Sequence, residues 1–129
     1  MDIVVDKLSK AIAIYLAHSG DYSVVDKLAH ASKVEDVLEA LNNVLREMPS
    51  AINNIRSRRS LAFDKIDKEF LSGLLEQLAR PEYDLSRDIQ LLYEELRANP
   101  SKIRLYGLRL SSHSLGYLST ALIRYSRER

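Results

Sequence analysis

The chain has no cysteine, which excludes disulfides, cysteine-containing zinc sites and thiol chemistry together. No stretch comes near the roughly 18 uninterrupted apolar residues of a membrane span, and Asp2, Asp6, Lys7 and Lys10 break up the start where a signal core would lie. A soluble, cytoplasmic protein is expected. Glycine occurs four times and proline three, mostly where helical patterns end. There is no convincing alternating strand, no glycine-rich phosphate loop and no nucleophile elbow. His18, His30 and His113 lack the spacing of a metal pair. The run from Asp64 to Glu69 lacks the ligand order and central glycine of an EF-hand. No cofactor, no metal and no catalytic role are expected. Arginine outnumbers lysine twelve to seven and glutamine occurs twice, a bias that leans towards a thermophile.

What the chain has is apolar residues at helical spacing. The pattern predicts an all-α protein, a single bundle of six or seven helices over residues 1–129. The first helix runs from Ile3 to His18 with Gly20 as its stop. A short helix follows from Ser23 as N-cap to Ala31. Ser32 and Glu35 make a capping-box pattern before Val34, Val37, Leu38, Leu41, Val44, Leu45 and Met48, and Pro49 ends or bends that helix. Residues 50–60 are ambiguous. A further helix opens near Asp64 and stops before Pro81, and the next is capped by Asp84 or Ser86 and closed by Asn99-Pro100. Ser101 caps the last segment, which is one helix or two depending on the Ser111-Ser112-His113-Ser114 run. The first helix is apolar on nearly every face, so part of it is expected at a subunit contact. The block Val4-Val5-Asp6-Lys7-Leu8 recurs as Val24-Val25-Asp26-Lys27-Leu28. With no third copy, it reads as reuse of one amphipathic template.

The charges nearly cancel, with 19 basic and 18 acidic residues, but they are segregated. Residues 1–50 carry a net −3 and residues 61–100 a net −4. Residues 51–60 hold Arg56, Arg58 and Arg59 with no acid, and residues 101–129 hold six bases against Glu128 alone. An acidic helical body with two basic zones suits a polyanion met at a defined place. On a helical wheel, Arg109, His113, Arg124 and Arg127 fall within about 40° of Lys102, while Tyr106 and Tyr117 sit at the stripe's edge. Arg56, Arg58, Arg59, Lys102, Arg109, Arg124 and Arg127 are the candidate phosphate contacts, with Tyr106 and Tyr117 as stacking candidates. The alternative is structural: a solvated polar face, with arginines near the helix C-terminus favoured by the macrodipole. Arg104 lies on the opposite side and weakens the stripe.

A small, all-helical, cysteine-free chain with an acidic body and basic patches resembles the small subunits of CRISPR surveillance complexes. Ala11–Leu16, the Val24–Ala29 block and Ser32–Leu45 are similar to the small subunit of archaeal type I-A Cascade, with the type III small subunits as second choice. The resemblance implies a non-catalytic antiviral-defence subunit that holds RNA or single-stranded DNA through basic surfaces among other subunits of the complex, with self-association open. Some relatives have a small β-rich insertion, for which this chain offers no strands. A helical adaptor or dimeric regulator, whose basic zones bind acidic protein surfaces, is the alternative.

Overall fold

Gly20 ends the first helix as its position predicts. The helix α1 spans Asp2–Ser19, and Gly20 takes the left-handed conformation (φ 68°) while its N–H donates to the Leu16 carbonyl at 2.8 Å. That conformation costs glycine little and most other residues more. Asp21 then sets the turn: it accepts from the Tyr15 hydroxyl at 2.9 Å and from the Ser23 N–H at 3.0 Å. Ser23 is therefore the first residue of α2 (Ser23–Ala29) and not its cap.

The structure, a computed structural model, describes residues 1–57, 61–78 and 85–127, with side chains of the last helix as far as Arg124. The remaining helices are α3 (Val34–Arg56), α4 (Lys68–Leu78), α5 (Leu85–Ala98) and α6 (Ile103–Arg127), the last preceded by a 3-10 turn over Pro100–Lys102. The fold is all-α, with helix packed on helix and no strand among the described residues. No described helix is long and apolar enough to cross a membrane.

Several boundaries move from their sequence expectation, each for a local reason. The start of α3 uses Lys33 as the flanking residue, and the Asp36 carboxylate reaches back to the Lys33 N–H (3.3 Å) and the Ser32 N–H (3.4 Å). The Ser32–Glu35 pattern is thus displaced by one residue. Pro49 does not end α3, which continues to Arg56. Proline removes one backbone donor from the helix interior, but Met48, Ala51 and Ile55 are buried on both sides of it and hold the helix against the core. The helix expected near Asp64 begins at Lys68, because the Asp67 carboxylate accepts the Phe70 N–H at 3.0 Å and caps it there. Ile66 is buried just ahead of that cap. Ser101 lies within the 3-10 turn and not at a cap, and the Asp84 cap lies outside the described residues.

At the centre stands α1, in contact with α3, α4, α5 and α6. Val5, Ile12, Ile14, Leu16 and Ala17 are fully buried. Its apolar residues on nearly every face are explained inside the chain, since a helix hydrophobic all round is a buried one. That burial accounts for most of the apolar surface on which the sequence predicts a subunit contact, and leaves Ile3, 72% exposed, at the start of the helix. Against the same core α2 lays Val24, Val25 and Leu28, just as α1 lays Val4, Val5 and Leu8. The repeated block is one packing solution used twice.

The serine run does not break α6, which is a single helix of 25 residues. Ser111 and Ser114 face inward, and the Ser114 hydroxyl donates to the Leu110 carbonyl at 2.6 Å, so its polarity is satisfied within the helix. Gly107 lets α2 come close: a Cβ there would lie 2.2 Å from the Leu28 carbonyl oxygen. Gly73 in α4 meets no such neighbour within 4 Å. Gly107→Ala is expected to destabilise the chain by about 1–3 kcal/mol through overpacking. Gly73→Ala is expected to stabilise it by up to about 1 kcal/mol. Urea unfolding of the two variants checks both signs.

Candidate nucleic-acid interface

The two basic zones are far apart in sequence, but each has an arginine at the same end of the bundle. Asn54, near the end of α3, lies 2.9 Å from the His18 ring at the end of α1. The segment that follows is pinned twice: the Ala62 N–H donates to the Ala17 carbonyl at 2.9 Å, and the Asp67 N–H to the Ala121 carbonyl at 3.0 Å. The C-terminal ends of α1, α3 and α6 therefore share one end of the bundle. Arg56, the last residue of α3, and Arg124, in the last turn of α6, both belong to that end. Arg56 is exposed, with no ion pair among the described residues. Arg58 and Arg59 lie outside the described residues, as does the side chain of Arg127. Lys102 and the first half of α6 lie away from that end, so the stripe runs the length of a helix about 37 Å long.

The stripe is continuous, but its cations are engaged. Arg109 donates to Asp2 of α1 at 2.7 Å, and its guanidinium lies 5.6 Å from the centre of the Tyr106 ring. Lys102 reaches Glu95 of α5 at 3.4 Å. Arg124 donates through Nε to Asp67 at 3.2 Å and lies 5.5 Å over the Phe70 ring. Each of these three cations meets a carboxylate from another element, so their charge already has a use inside the chain. His113 is exposed beside them.

The tyrosines serve the same packing. Tyr106 is 7% exposed, so its ring is core and offers no face to a base, which corrects its expected stacking role. Tyr117 is half-buried, donates to the Asp6 carboxylate and has the Lys10 ammonium 5.9 Å from its ring centre. Its position between α1 and α6 ties those helices together. Arg104 is exposed on the side away from the stripe, with no ion pair among the described residues. One cluster was not legible in sequence: Lys27, Asn43 and Arg46 line an open groove of about 400 Å³ between α2 and α3, with Glu39 paired to Lys27 at 2.8 Å. Its residues come from two helices, so no spacing announces it.

The ion pairs shape the acid response. The Arg109 guanidinium holds Asp2 below its ordinary 3.8. Burial pushes Asp6 up, but hydrogen bonds from Lys10 and Tyr117 outweigh it and its value also falls below 3.8. Both carboxyls bind protons more weakly in the folded chain than in the unfolded one. Their contribution is thus present above the unfolded value and lost as pH falls through the folded one. Asp6→Asn is expected to lower stability at pH 7, by a difference that shrinks progressively as pH is lowered below 3.8, measured by urea unfolding over a pH series. Arg124→Ala leaves the Asp67 carboxylate, 3% exposed, without its cation, and a loss of about 1–3 kcal/mol is expected in the same assay.

No protein-family model, curated protein or solved structure matches the chain, so a functional reading rests on its own residues.

Proposed function

We propose that the chain is a non-catalytic, nucleic-acid-binding subunit of a ribonucleoprotein, gripping the phosphate backbone of RNA or single-stranded DNA at one end of its helical bundle. The observation that carries this reading is that the exposed Arg56, from the acid-free stretch 51–60, lies at the same end of the bundle as the arginine-bearing end of α6. Guanidinium groups suit phosphate because their planar donors match its oxygens. The resemblance to the small subunits of CRISPR surveillance complexes fits this role, in which base pairing reads sequence and the protein holds the backbone. Such a subunit belongs in the cytoplasm, among partner subunits.

Within this proposal the residues divide. Arg56, Arg58 and Arg59 carry most of the grip, joined by Arg127. Arg124 contributes only by giving up Asp67, and Lys102 and Arg109 only by giving up Glu95 and Asp2. The second reading is an adaptor whose basic zones bind acidic protein surfaces, for which the same exposed Arg56 is available.

A salt titration of single-stranded RNA and DNA binding separates the two. Three to five phosphate contacts give a log–log slope of about −2 to −4 on a single strand. Changing Arg56, Arg58 and Arg59 together to Glu is expected to weaken binding and reduce the slope by about two. Absence of binding at low salt, both alone and assembled with partner subunits, is the result that discards this reading in favour of the adaptor.

A further inference from the structure

Residues 1–50 hold eight acids against five bases, and Arg46 is the one arginine among them. The fold nevertheless gathers two of those five bases into one place. Lys27, from α2, and Arg46, from α3, stand on the two walls of the open groove of about 400 Å³ between these helices, and Glu39 is the one acid among its described lining residues. That volume lies in the range of small-molecule sites. The groove exists because the short side chains of Val24 and Ala40 are buried at its floor while the long ones of Lys27, Glu39 and Arg46 reach solvent around it.

These two cations are more available than those of α6. Arg46 is exposed, with no ion pair among the described residues. Lys27 has Glu39 at 2.8 Å, but the Glu39 side chain is 71% exposed, and a pair so open to water is weak and easily exchanged. Arg124, by contrast, is held by a carboxylate that is itself buried. The back of the groove is fixed. The Asn43 amide donates to the Tyr15 hydroxyl at 3.4 Å, that hydroxyl donates to Asp21 at 2.9 Å, and the same carboxylate accepts the Ser23 N–H at 3.0 Å. This chain of bonds runs from α3 through α1 to the first residue of α2, so the walls keep their spacing before any ligand arrives. It also occupies the Asp21 carboxylate, and it leaves Asn43 a second N–H with no partner among the described residues.

The donors select the ligand. The guanidinium fork of Arg46 matches two oxygens, and the Lys27 ammonium on the other wall takes a third. A carboxylate has only two oxygens and one charge, so it does no more than replace Glu39. A phosphate monoester has three and carries a charge of about −1.5 to −2 near pH 7, which answers both cations. We infer that the groove between α2 and α3 binds a phosphate monoester, with the phosphate between Lys27 and Arg46, the free Asn43 N–H turned to it and Glu39 displaced into solvent. Arg46 lies about 15 Å along the axis of α3 from Arg56. The site is thus separate from the arginine end of the bundle, and the inference stands whether or not the chain grips a strand there.

Adenosine monophosphate titrated into the full chain is expected to move the amide NMR signals of residues 23–27 and 39–46, with a dissociation constant of about 1 mM or tighter. Adenosine and acetate are expected to leave those signals in place. Arg46→Ala is expected to weaken binding about tenfold and Lys27→Ala about threefold. Glu39→Gln is expected to tighten it about threefold, because Lys27 then has no competing carboxylate. The three side chains reach solvent, so circular dichroism is expected to show unchanged helical content. A short oligonucleotide with a terminal phosphate that binds here more tightly than the mononucleotide assigns the phosphate to a strand end, and one that binds more weakly assigns it to a small molecule. Absence of shifts at about 10 mM mononucleotide in low salt overturns the inference. So do shifts confined to the Arg56 end, adenosine or acetate binding as well as the monophosphate, or Glu39→Gln that weakens binding.

Discussion

Burial of α1 on all sides is the constraint on which the rest of the structure depends. A helix with Val5, Ile12, Ile14 and Leu16 fully buried exposes too much apolar surface to exist without neighbours on several sides. Removing such surface from water is the main favourable term in folding. The other helices therefore take their places around it, and their polar faces are what remains outside. Charge segregation follows from that arrangement. The acids of α1 that approach α6, Asp2 and Asp6, are met by Arg109 and Tyr117, so part of the basic character of α6 answers the acidic character of the helix it covers.

The same constraint explains how the functional reading narrows. Seen on a wheel, Lys102, Arg109 and Arg124 form a row of cations. In the fold each is matched by a carboxylate brought in by packing, from α5, α1 and the start of α4. What is left unmatched among the described residues of the two zones is Arg56 and, on the other side of α6, Arg104. A polyanion would meet a few concentrated guanidiniums at one end of the bundle, not a ladder along its side.

The sequence made the helices legible because their spacing is strong and their stops are chemical. Gly20 stops α1 and Asn99-Pro100 closes α5 with no tertiary information needed. It misplaced the starts of α3 and α4, where Asp36 and Asp67 cap from positions that no local rule singles out over their neighbours. It left Pro49 undecided because the outcome depends on the burial of Ala51 and Ile55 beyond it, a property of the whole core. The apolar excess of α1 was visible, but its cause was not: one chain cannot be read to tell whether such a face meets its own helices or another molecule. The partners of the stripe cations were invisible for the same reason, since Arg109 and Asp2 are separated by 107 positions.

Asp67 joins α4 and α6 through three hydrogen bonds at one residue. Its carboxylate caps α4 through the Phe70 N–H and holds Arg124, while its own N–H donates to Ala121. A ligand that draws the Arg124 guanidinium away must therefore leave a buried carboxylate facing the end of α6, and the cost is shared by the α4 start and the final turns of α6. Occupancy at that edge would be transmitted inward as a loosening of the α4 cap. The end of α6 and the beginning of α4 thus form one thermodynamically linked unit, and hydrogen exchange at the Phe70 amide would register what happens at Arg124.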